Sequence, residues 1–271
     1  MKLLGVDIGF SKERRSSAVA CLDGDELDVW LAKTDPESRI SNIPDGFRAS
    51  VVALDGPLLP SSSERTVRRL CEEAFVRAPF HNRCKPGLSH WGFGLNLRDA
   101  TAVAYAQFSP FVEISEQGSP SVTETGRIIE AFPNAFLGVL TPELTLRLAP
   151  IFKRGRRFDW LYDTTVSSGN LELKLSKELE LPAKMWRRLR AEKHHELRAA
   201  LICLLTAAIA ARGTATVVGE AAGGWFWLPA WSSWEAWAKD GLQMVLSEMG
   251  KTAVLSAPYV SSGHRPFEGT S

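Results

Sequence analysis

Over the first 55 residues the hydrophobic positions fall in four short runs separated by polar turns. The first, "KLLGVDIGF" (2–10), has strand composition around a Gly-x-Asp-x-Gly core. A basic turn, "SKERRSS", leads to "AVACL", and the turn signal "DGD" (23–25) leads to "ELDVWLAKT" (26–34), where Leu27, Val29 and Leu31 alternate. Apolar runs joined this tightly predict an antiparallel three-strand meander. After "DPESRISNIPDGF", a loop or short helix, comes "VVALDGPLLP" (51–60). Val51 to Leu54 are apolar without alternation, the pattern of a strand covered on both faces, and they run straight into Asp55.

The pattern then changes period. "SSSERTVRRLCEEAF" (61–75) places Val67, Leu70, Ala74 and Phe75 at helical spacing behind an N-cap candidate, Ser62 or Ser63. Residues 79–126 carry no clean period and read as an irregular insertion over one end of the sheet. "GRIIEAFPNAF" (126–136) predicts a fifth strand, again with a carboxylate, Glu130, just before Pro133. The strongest helical signal runs from Pro182 to Gly213. At about 100° per residue, Leu197, Leu201, Leu204, Leu205 and Ala208 share one stripe. "TATVVGE" (214–220) reads as one more strand. Trp225, Trp227, Trp231, Trp234 and Trp237 mark a C-terminal extension over 221–271, where packing outweighs base stacking as the reading. The sum is an α/β chain forming a single domain over 1–271.

Composition narrows the function classes only slightly. A 45% apolar and 23% charged chain of net charge +1 has an ordinary globular make-up, so any attraction to nucleic acid must be local. The opening residues carry one basic residue and a short apolar run, which predicts no secretory signal. "AALICLLTAAIAA" (199–211) is too short to span a bilayer, so no membrane partner is expected. Cys21, Cys71, Cys84 and Cys203 lack paired spacing, which fits a cytoplasmic setting. His81, Cys84 and His90 lack a fourth partner for zinc.

Asp7, Asp55 and Glu130 stand at or near the ends of predicted strands, and strands of one sheet bring such ends together. Like charges at close range raise one another's pKa or require a counter-ion, for which Mg2+ or Mn2+ suits oxygen-only ligands. Glu196 joins them from the long helix, with Ala199, Ala200, Cys203 and Ala207 near its side of the axis. A stripe that small lets a helix back close to a sheet.

In order, "GVDIG", "VVALDGPLLP", "RIIEAFPNAF", "HHELRAALICLLTAAIAARG" and "VVGEAAGGWFWLP" resemble a nuclease family inferred from sequence, still catalogued as a domain of unknown function. Its distant relatives are the Holliday-junction resolvases. The resemblance covers roughly residues 3–228, with 79–126 matching poorly. It implies a ribonuclease-H-like fold: a five-stranded mixed sheet, antiparallel meander then parallel strands, flanked by helices with the long helix packed across it. It also implies catalytic roles for Asp7, Asp55, Glu130 and Glu196, with two cations, Mg2+ or Mn2+, held by Asp7, Asp55 and Glu196. The implied reaction is metal-dependent hydrolysis of phosphodiester bonds in DNA or RNA.

One departure bears on that reading. Resolvase-type enzymes carry a second helix acid three residues after the first, and this chain has Ala199 there, with His194 and His195 preceding Glu196. Basic segments supply candidate nucleic-acid contacts: Lys153, Arg154, Arg156 and Arg157 in "FKRGRR", and Arg187 and Arg188 in "KMWRRLR". Each residue also has a plainer reading. Asp7 and Asp55 serve equally as strand-ending turn formers, Glu130 as half of a structural ion pair, and Glu196 and the basic segments as solvated charge. Two alternatives remain: a non-catalytic protein of the same fold that binds nucleic acid or protein, and, more remotely, a sugar-kinase-like phosphotransferase.

Overall fold

The computed structural model describes residues 1–9, 16–59, 64, 66–84, 87–112, 128–150, 156–251 and 254–256. The expected meander is present as β1 (Lys2–Asp7), β2 (Ser17–Asp23) and β3 (Glu26–Ala32), successive strands pairing antiparallel. Gly24, at φ +60°, supplies the left-handed turn between β2 and β3. Helix α1 (Pro36–Ile40) follows, its first turn capped by Asp35 Oδ1, which accepts from Ser38 N at 2.7 Å. Strand β4 (Val51–Asp55) then lies parallel to β1, and β5 (Ile128–Ala131) parallel to β4.

The sheet is wider than five strands. β6 (Thr216–Glu220) and β7 (Gly224–Leu228) form a hairpin, β7 lies parallel to β5, and β8 (Val254–Ser256) pairs with β6. The full order is β3-β2-β1-β4-β5-β7-β6-β8, eight strands of mixed direction flanked by helices. β7 escaped the sequence pattern because its "GWFWL" looks like an aromatic cluster, yet Trp and Phe are strong strand formers.

Between β4 and β5 lie α2 (Leu70–Val76) and α3 (Phe93–Phe108). The α2 N-cap is Arg69, later than expected, and Ser62 and Ser63 lie outside the described residues. The stretch 79–126 thus holds a 16-residue helix. Its pattern hid it, because Phe93 and Val103 are exposed and only Thr101, Ala104 and Phe108 are buried. After β5 come α4 (Pro133–Leu140), α5 (Glu143–Arg147), α6 (Arg156–Tyr162), a π turn over Asp163–Ser167 and α7 (Asn170–Leu179).

The long C-terminal helix proves to be two, α8 (Ala183–Ala191) and α9 (His195–Ala211). The break has a local cause. Glu192 is extended (φ −67°, ψ 136°), and its Oε1 accepts the amides of Lys193 and His194, both at 2.8 Å. Its carbonyl takes Arg198 Nε at 2.9 Å. A side chain that satisfies the next helix's free amides competes with continuing the first helix.

Apolar faces sort onto two sides of the sheet. Leu3, Ala18, Ala20, Val51 and Ala53 pack with α9, whose residues 199–210 are buried throughout. Leu4, Val6, Val19, Val52 and Leu54 face the opposite way, with Ala104 and Phe108 of α3. Helix α10 (Ala236–Glu248) closes the C-terminal part, where the tryptophans act as packing groups. Trp231 and Trp234 meet at a tilt of 44° with centroids 4.8 Å apart, and Trp237 Nε1 donates to Thr141 O at 3.0 Å. No helix among the described residues is long and apolar enough to cross a membrane.

Candidate functional site

The two best strands of the core end on the same line. β1 and β4 run parallel with Leu3 opposite Val51, and four residues on Asp7 lies opposite Asp55. Register partners on neighbouring strands project to one face, and parallel neighbours are about 4.8 Å apart. The two carboxylates therefore stand side by side, half-buried, on the face that α9 covers. Among the described residues neither takes part in an ion pair.

The fold brings α9 very close. A Cβ added at Gly5 would lie 2.1 Å from Leu204 N and 2.4 Å from Ala200 O, so the helix backbone rests directly on β1. Small side chains at Ala200, Cys203 and Ala207 permit the approach. The N-terminal turn of α9 consequently overlies the end of β1. Burial, then Asp55 and Glu196, push the Asp7 carboxyl well above its ordinary value, while Arg39 pulls against them. Burial and Glu130 raise Asp55 to about 7. Both groups resist ionising because burial disfavours the charged form and neighbouring acids add to it, with Arg39 opposing the rise at Asp7.

The surroundings of the pair are rigid. Arg39, 1% exposed, donates from Nη2 to Gly9 O at 3.0 Å, from Nε to Ser17 Oγ at 3.2 Å and from Nη1 to Gln107 Oε1 at 3.0 Å. These bonds fix the chain on both sides of the β1–β2 connection. Gly56 lies under α3, where a Cβ would meet Thr101 Oγ1 at 2.1 Å.

Glu196 sits in the first turn of α9, close enough to raise Asp7, but its Oε2 is turned to His194 Nδ1 at 3.0 Å. His195 is likewise engaged, with Asp159 Oδ2 at 3.1 Å. Among the described residues no three His, Cys, Asp or Glu side chains gather as a metal-holding group, so the expected set of Asp7, Asp55 and Glu196 does not close. Position 199 offers no further acid, since Ala199 is buried in the core. Two adjacent carboxylates of raised pKa fit one hard cation that keeps most of its waters. They do not fit a two-cation centre.

Glu130 departs from its expected place. Register pairs it with Leu54, so its side chain leaves the sheet on the opposite face to Asp55. There Arg69 forks onto it, Nη1 to Oε1 at 2.8 Å and Nη2 to Oε2, and Leu58 N donates to Oε2 at 2.8 Å. Burial pushes its carboxyl up to about 7, and Arg69 and the Leu58 amide pull against that rise. A carboxylate with both oxygens engaged is a structural partner here. No local pattern points to Arg69 as that partner, because the two are 61 positions apart.

The basic residues divide. Lys153 and Arg154 lie outside the described residues. Arg156 is exposed on α6, whose Asp159 contacts Arg198 and His195 at the start of α9. Arg157 reaches His81 O at 3.5 Å. On α8 the charge is mostly spent within the molecule: Lys184 pairs with Glu26 at 2.9 Å, Arg188 with Glu192 at 2.6 Å and Arg190 with Glu172 at 2.8 Å, leaving Arg187 exposed. Glu26 begins β3, at the end of the sheet away from Asp7. The expected α8 patch therefore starts far from the acidic pair.

No family model matches the chain, and no curated protein or solved structure matches it either.

Proposed function

We propose that this chain is a divalent-metal-dependent nuclease of ribonuclease-H-like fold that hydrolyses phosphodiester bonds of DNA or RNA. The observation that carries the reading is the register of Asp7 against Asp55, two carboxylates in no ion pair among the described residues, on one face at the ends of parallel core strands. The order β3-β2-β1-β4-β5, with β2 alone reversed among them, supports the fold that the sequence resemblance implies.

Asp7 and Asp55 would hold Mg2+ or Mn2+, which would supply charge neutralisation at the phosphate and a more acidic water. Both carboxyls, raised in the metal-free protein, would have to be deprotonated to serve as ligands. Glu196, at the rim on α9, would accept a proton from the attacking water, with His194 Nδ1 in contact with its Oε2 at 3.0 Å. Arg156 on the neighbouring α6 meets the nucleic-acid backbone without choosing sequence.

The test is cleavage of labelled single- and double-stranded DNA and RNA with Mg2+, Mn2+ or EDTA. Metal-dependent cleavage lost in Asp7→Asn is the expected result. Cleavage indifferent to EDTA and to Asp7→Asn would sink the proposal. The missing helix acid and the internally paired α8 cations favour a second reading, a non-catalytic binding protein of the same fold. It predicts retained binding, with no cleavage under any metal.

A further inference from the structure

We infer that Glu130 is a positioning residue for the acidic pair, holding the turn that follows Asp55 through the amide of Leu58; the inference rests on the cation-site reading above. The turn is short: Asp55-Gly56-Pro57-Leu58. Pro57 has no N–H, so only two amides follow Asp55 in it. Gly56 N donates back to Leu54 O at 3.0 Å, and Leu58 N donates to Glu130 Oε2 at 2.8 Å. The Leu58 carbonyl is wedged against Gly224, where a Cβ would lie 2.2 Å from it. With Thr101 pressed on Gly56, the turn after Asp55 is held from outside its own strand at Gly56 and at both the amide and the carbonyl of Leu58.

Arg69 sets the aim of Glu130. Besides the fork it donates from Nε to Gly223 O at 2.5 Å and from Nη1 to Glu72 Oε1 at 3.0 Å, and its guanidinium lies 5.5 Å from the centre of the Phe226 ring. Glu72 in turn accepts Ser89 N at 3.0 Å. The hub joins the β4 turn, β5, the start of α2, the β6–β7 turn and the segment before α3. A carboxylate this fully engaged cannot also bind a cation without breaking the hub, whereas it fixes the neighbour that can. Residues that orient a metal's ligands typically change affinity about 10- to 100-fold when altered.

The experiment measures Mn2+ affinity of the full chain by calorimetry for the wild type, Glu130→Gln and Arg69→Lys. Both variants are expected to weaken binding by about tenfold or more, and the double variant by no more than the weaker single, because they act through one bond network. The two roles differ in sign. Were Glu130 a ligand, loosening the fork in Arg69→Lys would tighten Mn2+ binding while Glu130→Gln abolished it; that outcome overturns the inference, as does unchanged affinity in Glu130→Gln. No Mn2+ binding by the wild type removes the cation site itself and leaves this inference to the metal-free chain. There, Arg69→Lys keeps every charge, and amide resonances of Asp55 to Leu58 are expected to shift with faster exchange of the Leu58 N–H. Resonances that stay in place overturn the positioning role. If Arg69→Lys does not fold, Glu130→Gln carries both measurements.

Discussion

Asp55 ends β4 and Glu130 stands next to last in the adjacent β5, a single register step apart, Glu130 buried and Asp55 half-buried. Glu130 has a guanidinium on both oxygens and a backbone amide besides. Asp55 has a second carboxylate beside it and takes part in no ion pair among the described residues. The fold therefore spends an arginine on one acid and withholds it from the other. A buried carboxylate that is fully paired explains itself as structure, whereas one left unbalanced implies something that binds there.

Breaking the satisfied half has the largest expected effect. Arg69→Ala leaves Glu130 and Glu72 buried without a cation, and loss of one partner of such a pair costs about 3–5 kcal/mol. Chemical denaturation read by tryptophan fluorescence measures it. Asp55→Asn has the opposite sign. Removing a charge that burial disfavours stabilises the metal-free protein at alkaline pH, on the order of 2 kcal/mol. If both substitutions destabilise alike, the contrast between the two acids is wrong. In activity the ranking inverts, with Asp55→Asn reducing metal-dependent cleavage at least about a hundredfold.

The contrast also has a pH signature. The folded Asp55 carboxyl titrates at about 7, and in an unfolded chain near 3.9. Between these values the folded state holds a proton that the unfolded state has released. The associated stability is complete below pH ~4 and is lost as pH rises through about 7. The melting temperature of the metal-free wild type should therefore fall relative to Asp55→Asn over that interval. Mn2+ should restore it above the interval, since binding needs the deprotonated pair. A difference that is flat with pH would show that Asp55 is not held protonated.

Legibility along the chain followed the same division. The meander, the parallel β4 and the acids at the strand ends were readable because short apolar runs and Gly-rich turns are local signals. The approach of α9 was readable from its small residues, although Gly5 makes room for the helix backbone and not for a ligand. What escaped depends on distant partners. Nothing near Glu130 in sequence announces Arg69, and nothing before Glu192 announces that its side chain will cap the next helix and divide the predicted one. Helix α3 escaped because its exposed Phe93 and Val103 erase the period. Gly5→Ala tests the legible part: it should destabilise by about 1–3 kcal/mol through forced movement of α9.

The smallest effects are expected from the basic residues, and they separate surface charge that is spent from charge that is available. Each phosphate contact lowers the dependence of log K on log salt by close to one when removed. Arg188→Gln should leave that slope unchanged, because its guanidinium is committed to Glu192 at 2.6 Å. Its loss should instead loosen the cap on α9 and lower stability modestly, by about 1 kcal/mol or less. Arg156→Gln, at an exposed site on the helix beside the start of α9, should reduce the slope by up to about one without altering stability. Filter-binding titrations of an oligonucleotide at several salt concentrations distinguish the two. A slope that falls for Arg188→Gln and holds for Arg156→Gln would move the nucleic-acid path from the rim near Asp7 to α8, and with it detach binding from the acidic pair.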